Sequence, residues 1–315
     1  MPSTSPALIA VRELPFLPPF DWARMLRFFA GRSTAGVEAV EDGNYLRAIE
    51  WKGDSGTLAV CRHADKDSLM ATLEGPVSRH ADELVAPLSR MFDLHADQRL
   101  IRRQLGADAW FKPLLKAAPG LRVPGAWSAF ELVVRTIVGQ QVSVKAATTI
   151  VGRLVQRAGE PIAGHPHAAT AWRFPTPAAL AAVNLDAIGM PGKRVAAIQG
   201  FAHAVAVGDV PVDGGLDSVA GLLPAQVIDL RKALLALPGI GPWTVEYVAM
   251  RAWRDSDAWP ATDLVLMQSI TARDPALVSA AAQRARAELW SPWRAYAAMH
   301  LWNEIADRQG AARGG

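Results

Sequence analysis

The sequence predicts an α+β protein that is mostly α: an antiparallel sheet unit at residues 1–96, packed on an all-helical region at 97–315. Three observations carry that reading. The stretch "VEAVEDGNYLRAIEWKGDSGTLAVCRH" alternates apolar and polar residues, with "DG" and "GDSG" as turn signals between strand-like runs. Helical spacing flanks it, in "WARMLRFFAGR" (22–32) and "HADELVAPLSRMFDL" (80–94). Beyond "HADQRLIRRQLGADAW" the pattern is helical almost throughout, punctuated at "APGLRVPGAW", "IGMPGKR" and "LPGIGP", with no further strand run of comparable clarity. No low-complexity linker separates the two parts, so they are expected to pack together. The opening "MPSTSPA" and the tail from about 310 to 315 read as loose ends.

At 315 residues, half of them hydrophobic, the chain can bury sizeable cores. Its formal charge of +3 permits contact with a polyanion without demanding it. Cys61 is the only cysteine, which excludes an internal disulfide, a cysteine zinc site and a four-cysteine iron–sulfur cluster. That usage fits a reducing cytoplasm. Charged residues and prolines interrupt every apolar run before it could span a bilayer, so no membrane association is expected.

The most informative segment is "LALPGIGPWTVEYVAMRAW" at 235–253. The helix pattern of "PAQVIDLRKALLA" ends at Leu237-Pro238, and "PWTVEYVAMRAW" begins another helix, with Pro242 suited to its first turn. Between them Gly239 and Gly241 allow close approach of a partner to the backbone. Unpaired amides at a helix N-terminus, with the positive end of its dipole, suit a phosphate. A bare "GxG" also occurs in an ordinary helix connection, but the full "LPGIGPWT" is more specific. Trp243 and Tyr247 are spaced i, i+4 and share one helix face. Asp263 follows in "RDSDAWPATDLVLMQ", placed as an N-cap before the apolar run "LVLM". Asp255 and Asp257, earlier in that connection, read as solvated caps.

"LPGIGPWT" resembles the helix-hairpin-helix signature of DNA repair glycosylases. "PPFDWARMLRFFAGR", "PGLRVPGAWSAFELVVRTIVGQQVSVKAA", "FPTPAAL", "IGMPGKR" and "SPWRAYAAMHLWNE" extend the resemblance over about residues 18 to 305, and it is to the 3-methyladenine DNA glycosylase II (AlkA) type. The resemblance implies an N-terminal domain like half of a TATA-binding protein, packed on a helix-hairpin-helix-GPD body. It also implies a monofunctional enzyme of base excision repair that hydrolyses alkylated purines from damaged double-stranded DNA. Relatives that cleave the strand carry a lysine just after the hairpin, where this chain has Trp243. A glycosylase for oxidised purines and a non-catalytic damage-binding module are the alternatives. Trp243 weighs against the first, and Asp263 with its aromatic neighbours against the second.

Residue by residue, the resemblance makes Asp263 the essential carboxylate, stabilising oxocarbenium charge on the sugar and guiding water. Trp243, Tyr247, Trp302 and Phe28 become the base pocket, whose ring faces favour a cationic base by roughly 0.5–2 kcal/mol. Leu264 stands at the pocket floor where some relatives have tyrosine. Gln141 becomes the tip of the wedge that fills the gap left by the flipped base, while Ser143 reads independently as a helix N-cap. The amides of Gly239 and Gly241 and the Thr244 hydroxyl are expected to hold the lesion strand's phosphates. The resemblance allows a structural Na+ or K+ on the carbonyls of Leu235, Leu237 and Ile240, and no other cofactor. Excising one lesion needs no second subunit, so a monomer is expected. Trp253, Trp290 and Trp293 are assigned to core packing.

Overall fold

The computed structural model describes residues 8–162, 167–213 and 222–314, with side chains to 310. Strands β1 (Ile9–Pro15), β2 (Glu38–Glu41), β3 (Asn44–Trp51), β4 (Asp54–Arg62) and β5 (Ser68–Glu74) form one antiparallel sheet in the order β1-β5-β4-β3-β2. Two-residue turns join the central strands. Asp42-Gly43 connects β2 to β3 and Lys52-Gly53 connects β3 to β4, all four at positive φ, the twist-matched turn that short hairpins prefer. The turn expected at "GDSG" is therefore displaced: only Gly53 lies in it, and Asp54, Ser55 and Gly56 pair as β4.

One sheet face is apolar. Tyr45, Leu58, Val60, Leu69, Ala71 and Leu73 pack there with Phe29 and Phe92, forming a core that draws on residues Leu14 to Leu94. The helix Trp22–Ala30 closes that core, and Asp21 caps it by accepting the Arg24 N–H at 3.0 Å. A second core, drawing on Ile101 to Leu301, is built from helices.

The described residues hold thirteen α-helices, and one departure from the all-helical expectation. Glu160–Pro161 and Trp172–Arg173 pair as a short two-stranded ladder, which two residues per strand could not announce as an alternating pattern. The stretch "MPSTSPA" lies outside the described residues. The tail expected to be loose from about 310 is helical backbone to Gly314, at the end of the helix Arg294–Gly314.

A buried ionic cluster joins the two cores. Glu38 on β2 accepts from Arg135 at 2.6 Å, from Arg47 at 3.2 Å and from the Tyr45 hydroxyl at 2.6 Å, while Glu131 pairs with both arginines. Glu131 and Arg135 lie on the helix Ala129–Gly139, so the network spans the boundary between the cores. Burial favours the neutral acid at Glu38, yet Arg135 and Arg47 outweigh it and hold the carboxyl down at about 2.

Candidate active site

The segment that stands out in the sequence folds as two helices, Pro224–Leu235 and Pro242–Arg251, with Pro242 in the first turn of the second. Gly239 sits at φ +81, in the left-handed region, and a Cβ there would stand 2.6 Å from the Ala197 Cβ. It is thus required by backbone shape and by packing on the helix Gly192–Ala206. Gly241 differs: its φ of −101° is open to any residue, and a Cβ there would meet nothing within 4 Å. Open space in front of a helix N-terminus is what a close external partner needs.

Thr244 does not share that exposure. It is 1% exposed, and its hydroxyl oxygen lies 3.5 Å from the Gln140 amide nitrogen. Gln140 also donates to Gly239 O at 3.0 Å, which ties the loop after Ala129–Gly139 to the hairpin. The next residue, Gln141, is exposed at φ +58, on the loop that Ser143 ends by accepting the Ala146 N–H at 3.2 Å. Ser143 is thus the expected helix cap, and Gln141 before it is exposed.

Asp263 caps the helix Leu264–Arg273, accepting the Leu266 N–H at Oδ1, 2.9 Å away. Its other partners are indoles. Trp302 Nε1 donates to Oδ1 at 2.9 Å and Trp243 Nε1 donates to Oδ2 at 3.0 Å. Trp243 and Tyr247 stack with centroids 5.3 Å apart at 11°, and Trp302 meets Tyr247 edge-on at 6.1 Å. Three ring systems and one half-buried carboxylate therefore form a single group.

Phe28 joins that group from the sheet side, but not as a free ring face. The Arg32 guanidinium lies 4.0 Å from its centroid and that of Arg251 lies 4.7 Å away. Its contribution is bulk along a cleft of about 130 Å3, lined by Phe28, Trp302, Pro124 and Met299 among others. Trp302 belongs both to this cleft and to the carboxylate group; Trp243, Tyr247 and Asp263 do not line the cleft. Leu264 is 67% exposed, because it starts a helix whose buried side begins at Leu266.

Arg251 is a site residue that sequence reasoning missed. It is buried, donates from Nη1 to the Tyr247 hydroxyl at 3.0 Å, and anchors on Pro124 O and Gly125 O at 2.8 and 2.9 Å. Burial opposes ionisation of the Tyr247 phenol, but Arg251, Arg32 and Arg135 outweigh it and bring the phenol below its usual value. The signal was available in the spacing, since residues 243, 247 and 251 recur every four positions on one face. The Gln140 tether carried no such signal.

Asp255 and Asp257 are not simply solvated. Asp255 pairs with Arg231 at 2.7 Å and Asp257 with Arg294 at 2.7 Å, fixing the connection that delivers Asp263. Trp253 and Trp290 are buried core residues and Trp293 packs against the same core. The described residues contain no group of three or more histidine, cysteine or acidic side chains that could hold a metal, and no described helix is long and apolar enough to cross a membrane.

The chain belongs to the HhH-GPD superfamily of base excision DNA repair proteins. That family's model matches residues 134–295, and the AlkA N-terminal domain matches residues 11–128. It is 37% identical over 292 residues to DNA-3-methyladenine glycosylase 2 of Escherichia coli K12, covering 90% of this chain and 94% of that protein. A Mycobacterium tuberculosis protein described as a probable bifunctional transcriptional activator/DNA repair enzyme AlkA is 33% identical over 93% of this chain, which spans 56% of that longer protein. Two solved structures share the fold. A 3-methyladenine DNA-glycosylase from Archaeoglobus fulgidus aligns with a TM-score of 0.76 at 19% identity, covering 94% of this chain and 98% of that one. An 8-oxoguanine glycosylase/lyase from Clostridium acetobutylicum aligns at 0.69 and 16% identity, covering 93% and 97%.

Proposed function

We propose that this chain is a monofunctional DNA glycosylase that flips alkylated purines of the 3-methyladenine and 7-methylguanine class out of duplex DNA and hydrolyses their glycosidic bonds. The observation that carries the reading is the Asp263 carboxylate held by two indole N–H groups beside a stacked Trp243–Tyr247 pair.

A carboxylate offers about four lone-pair sites. Leu266 N and Trp302 Nε1 occupy those of Oδ1, and Trp243 Nε1 takes one on Oδ2, which leaves one Oδ2 site open. A purine alkylated at a ring nitrogen is cationic and leaves readily, so positive charge develops on the sugar as the bond breaks. The open oxygen of Asp263 is suited to stabilise that charge and to orient the water that captures it. The faces of Trp243 and Trp302 favour the cationic base by charge instead of by a base-specific hydrogen-bond pattern, with Tyr247 backing Trp243 and itself covered by the Arg251 guanidinium 5.3 Å from its centroid. With Trp243 where a lysine would be needed, no amine stands ready to attack the sugar and open the strand.

The amides of Gly239 and Gly241 grip the lesion strand, and Gln141 enters the gap left by the flipped base. The protein acts as a monomer on damaged duplex DNA in the cytoplasm. A structural Na+ or K+ would be held by the hairpin carbonyl oxygens of Leu235, Leu237 and Ile240, hard donors of the type such ions take, the Leu237 oxygen also accepting the Ile240 N–H at 3.2 Å. It would fix the turn.

The test incubates the protein with duplexes carrying 7-methylguanine, 3-methyladenine, hypoxanthine or 8-oxoguanine and compares released base with strand nicks before and after alkali. Methylated-base release with nicks only after alkali supports the proposal. Nicks without alkali, or release of 8-oxoguanine alone, would replace it with a glycosylase for oxidised purines, and no release with retained binding would leave a damage-binding module.

A further inference from the structure

The two aromatic walls of the cleft come from opposite ends of the chain. Phe28 lies on the helix Trp22–Ala30 and Trp302 on the helix Arg294–Gly314. A polar clamp ties these helices at the cleft. Arg27 reaches Asp307 Oδ1 at 2.7 Å through Nη1 and donates to Asn303 Oδ1 at 2.7 Å through Nη2. Arg24 reaches Asp307 Oδ2 at 3.1 Å, and Asn303 Nδ2 donates to that same oxygen at 3.0 Å. One carboxylate thus gathers three side chains from two helices.

The placement is specific. Arg27 precedes Phe28 by one residue and Asn303 follows Trp302 by one, so each clamp residue is a single backbone step from a wall residue. Arg24 and Arg27 share a face at i, i+3, as Asn303 and Asp307 do at i, i+4. Arg24, Arg27 and Asn303 also line the cleft. The Asp307 side chain is 31% exposed and that of Arg27 47%, so solvent screens the charges and leaves them little effect on overall stability. Their geometric effect is not screened, because it lies in which atoms are held together.

We propose that Arg27, Asn303 and Asp307 are positioning residues for base recognition: by tying the two helices they fix where Trp302, shared by the cleft and the Asp263 group, stands against Trp243 and Tyr247, and with it the size of base that fits beside Asp263. The inference rests on the glycosylase reading. Without the clamp Trp302 is free to shift away from Asp263 and Tyr247, which weakens the hold on a compact base and admits a bulkier one.

The test compares wild type with Asp307→Ala, Asp307→Glu and Arg27→Ala on duplexes carrying 7-methylguanine or the larger ethenoadenine, together with hydrogen exchange of each protein. Asp307→Ala should raise KM for 7-methylguanine about 5-fold or more with kcat changed less than about 2-fold, and should shift the release ratio toward ethenoadenine. Arg27→Ala, which leaves the Arg24–Asp307 pair, should fall between, and Asp307→Glu should restore wild-type values. Amide exchange should quicken in Trp22–Ala30 and around Trp302. Unchanged KM and release ratio in both alanine variants, or losses that only track the folded fraction, overturn the clamp. Should Asp307→Ala fail to fold, Arg27→Ala decides by the same readouts. If wild type releases no methylated base, the glycosylase reading fails by itself; faster exchange at the two helices in Arg27→Ala then still supports the clamp, and unchanged exchange overturns it.

Discussion

The indole N–H of Trp243 donates to Oδ2 of Asp263 at 3.0 Å, across 20 positions of sequence. The same tryptophan stacks on Tyr247, so one side chain both holds the carboxylate and extends the aromatic group beside it. Trp302 donates likewise to Oδ1 but meets Tyr247 edge-on.

Asp263→Asn should lower the rate of methylated-base release by at least about 100-fold, because it removes the charge facing the developing oxocarbenium. Asparagine keeps the helix cap and the Trp302 contact on its one oxygen but turns an NH2 donor toward Trp243 Nε1, so stability should fall by about 1–3 kcal/mol while the protein stays folded. Single-turnover release assays beside thermal melts measure both. Near-normal release would remove Asp263 from catalysis.

The two roles of Trp243 separate by substitution. Trp243→Phe keeps a ring for stacking but loses the hydrogen bond to a charged group, and release should fall by about 10-fold, the equivalent of about 1.5 kcal/mol. Trp243→Ala should cost a further 2- to 30-fold or so on cationic 7-methylguanine, the range of an aromatic–cation contact, and less on neutral hypoxanthine. Equal losses on the two substrates would argue that the ring supplies shape alone.

The two hairpin glycines should respond differently. Gly239→Ala forces a Cβ onto Ala197 at positive φ and should destabilise the protein by more than about 1 kcal/mol. Gly241→Ala meets open space, so its melting temperature should stay near that of wild type while affinity for duplex DNA drops. If the amides contact phosphates, wild-type binding also weakens steeply with salt. Normal DNA affinity in Gly241→Ala would shift the strand contact elsewhere.

His300 gives the fold a pH dependence. It is 2% exposed with Nδ1 unpartnered, and burial, reinforced by the positive charge of Arg102 and Arg24, lowers its pKa to about 3. The unfolded chain takes up the proton near pH 6.5 and the folded one near 3. The neutral form's contribution is therefore complete above 6.5 and is lost as the pH falls toward 3, at up to about 1.4 kcal/mol per pH unit. In denaturant titrations from pH 7 to 4, His300→Gln should show a shallower loss of stability than wild type. Parallel curves would show that His300 is protonated in the folded state or hydrated.

What the sequence determined by itself was local. Alternation across 37–63 specified the central strands, "DG" their first turn, and "LPGIGPWT" the hairpin, because backbone conformation there follows from side-chain periodicity and from glycine and proline. The spacing of Trp243 and Tyr247 specified a shared face, and Asp263 before an apolar run specified a cap. Only the tertiary structure decided which groups meet. Trp302 finds Asp263 across 39 positions, Arg251 crosses 126 to reach Gly125 O, and Arg27 crosses 276 to reach Asn303. It also buried Thr244 beside Gln140 and left Leu264 exposed. Such contacts depend on how two cores dock and on where long side chains end, and no short-range pattern in the chain encodes either.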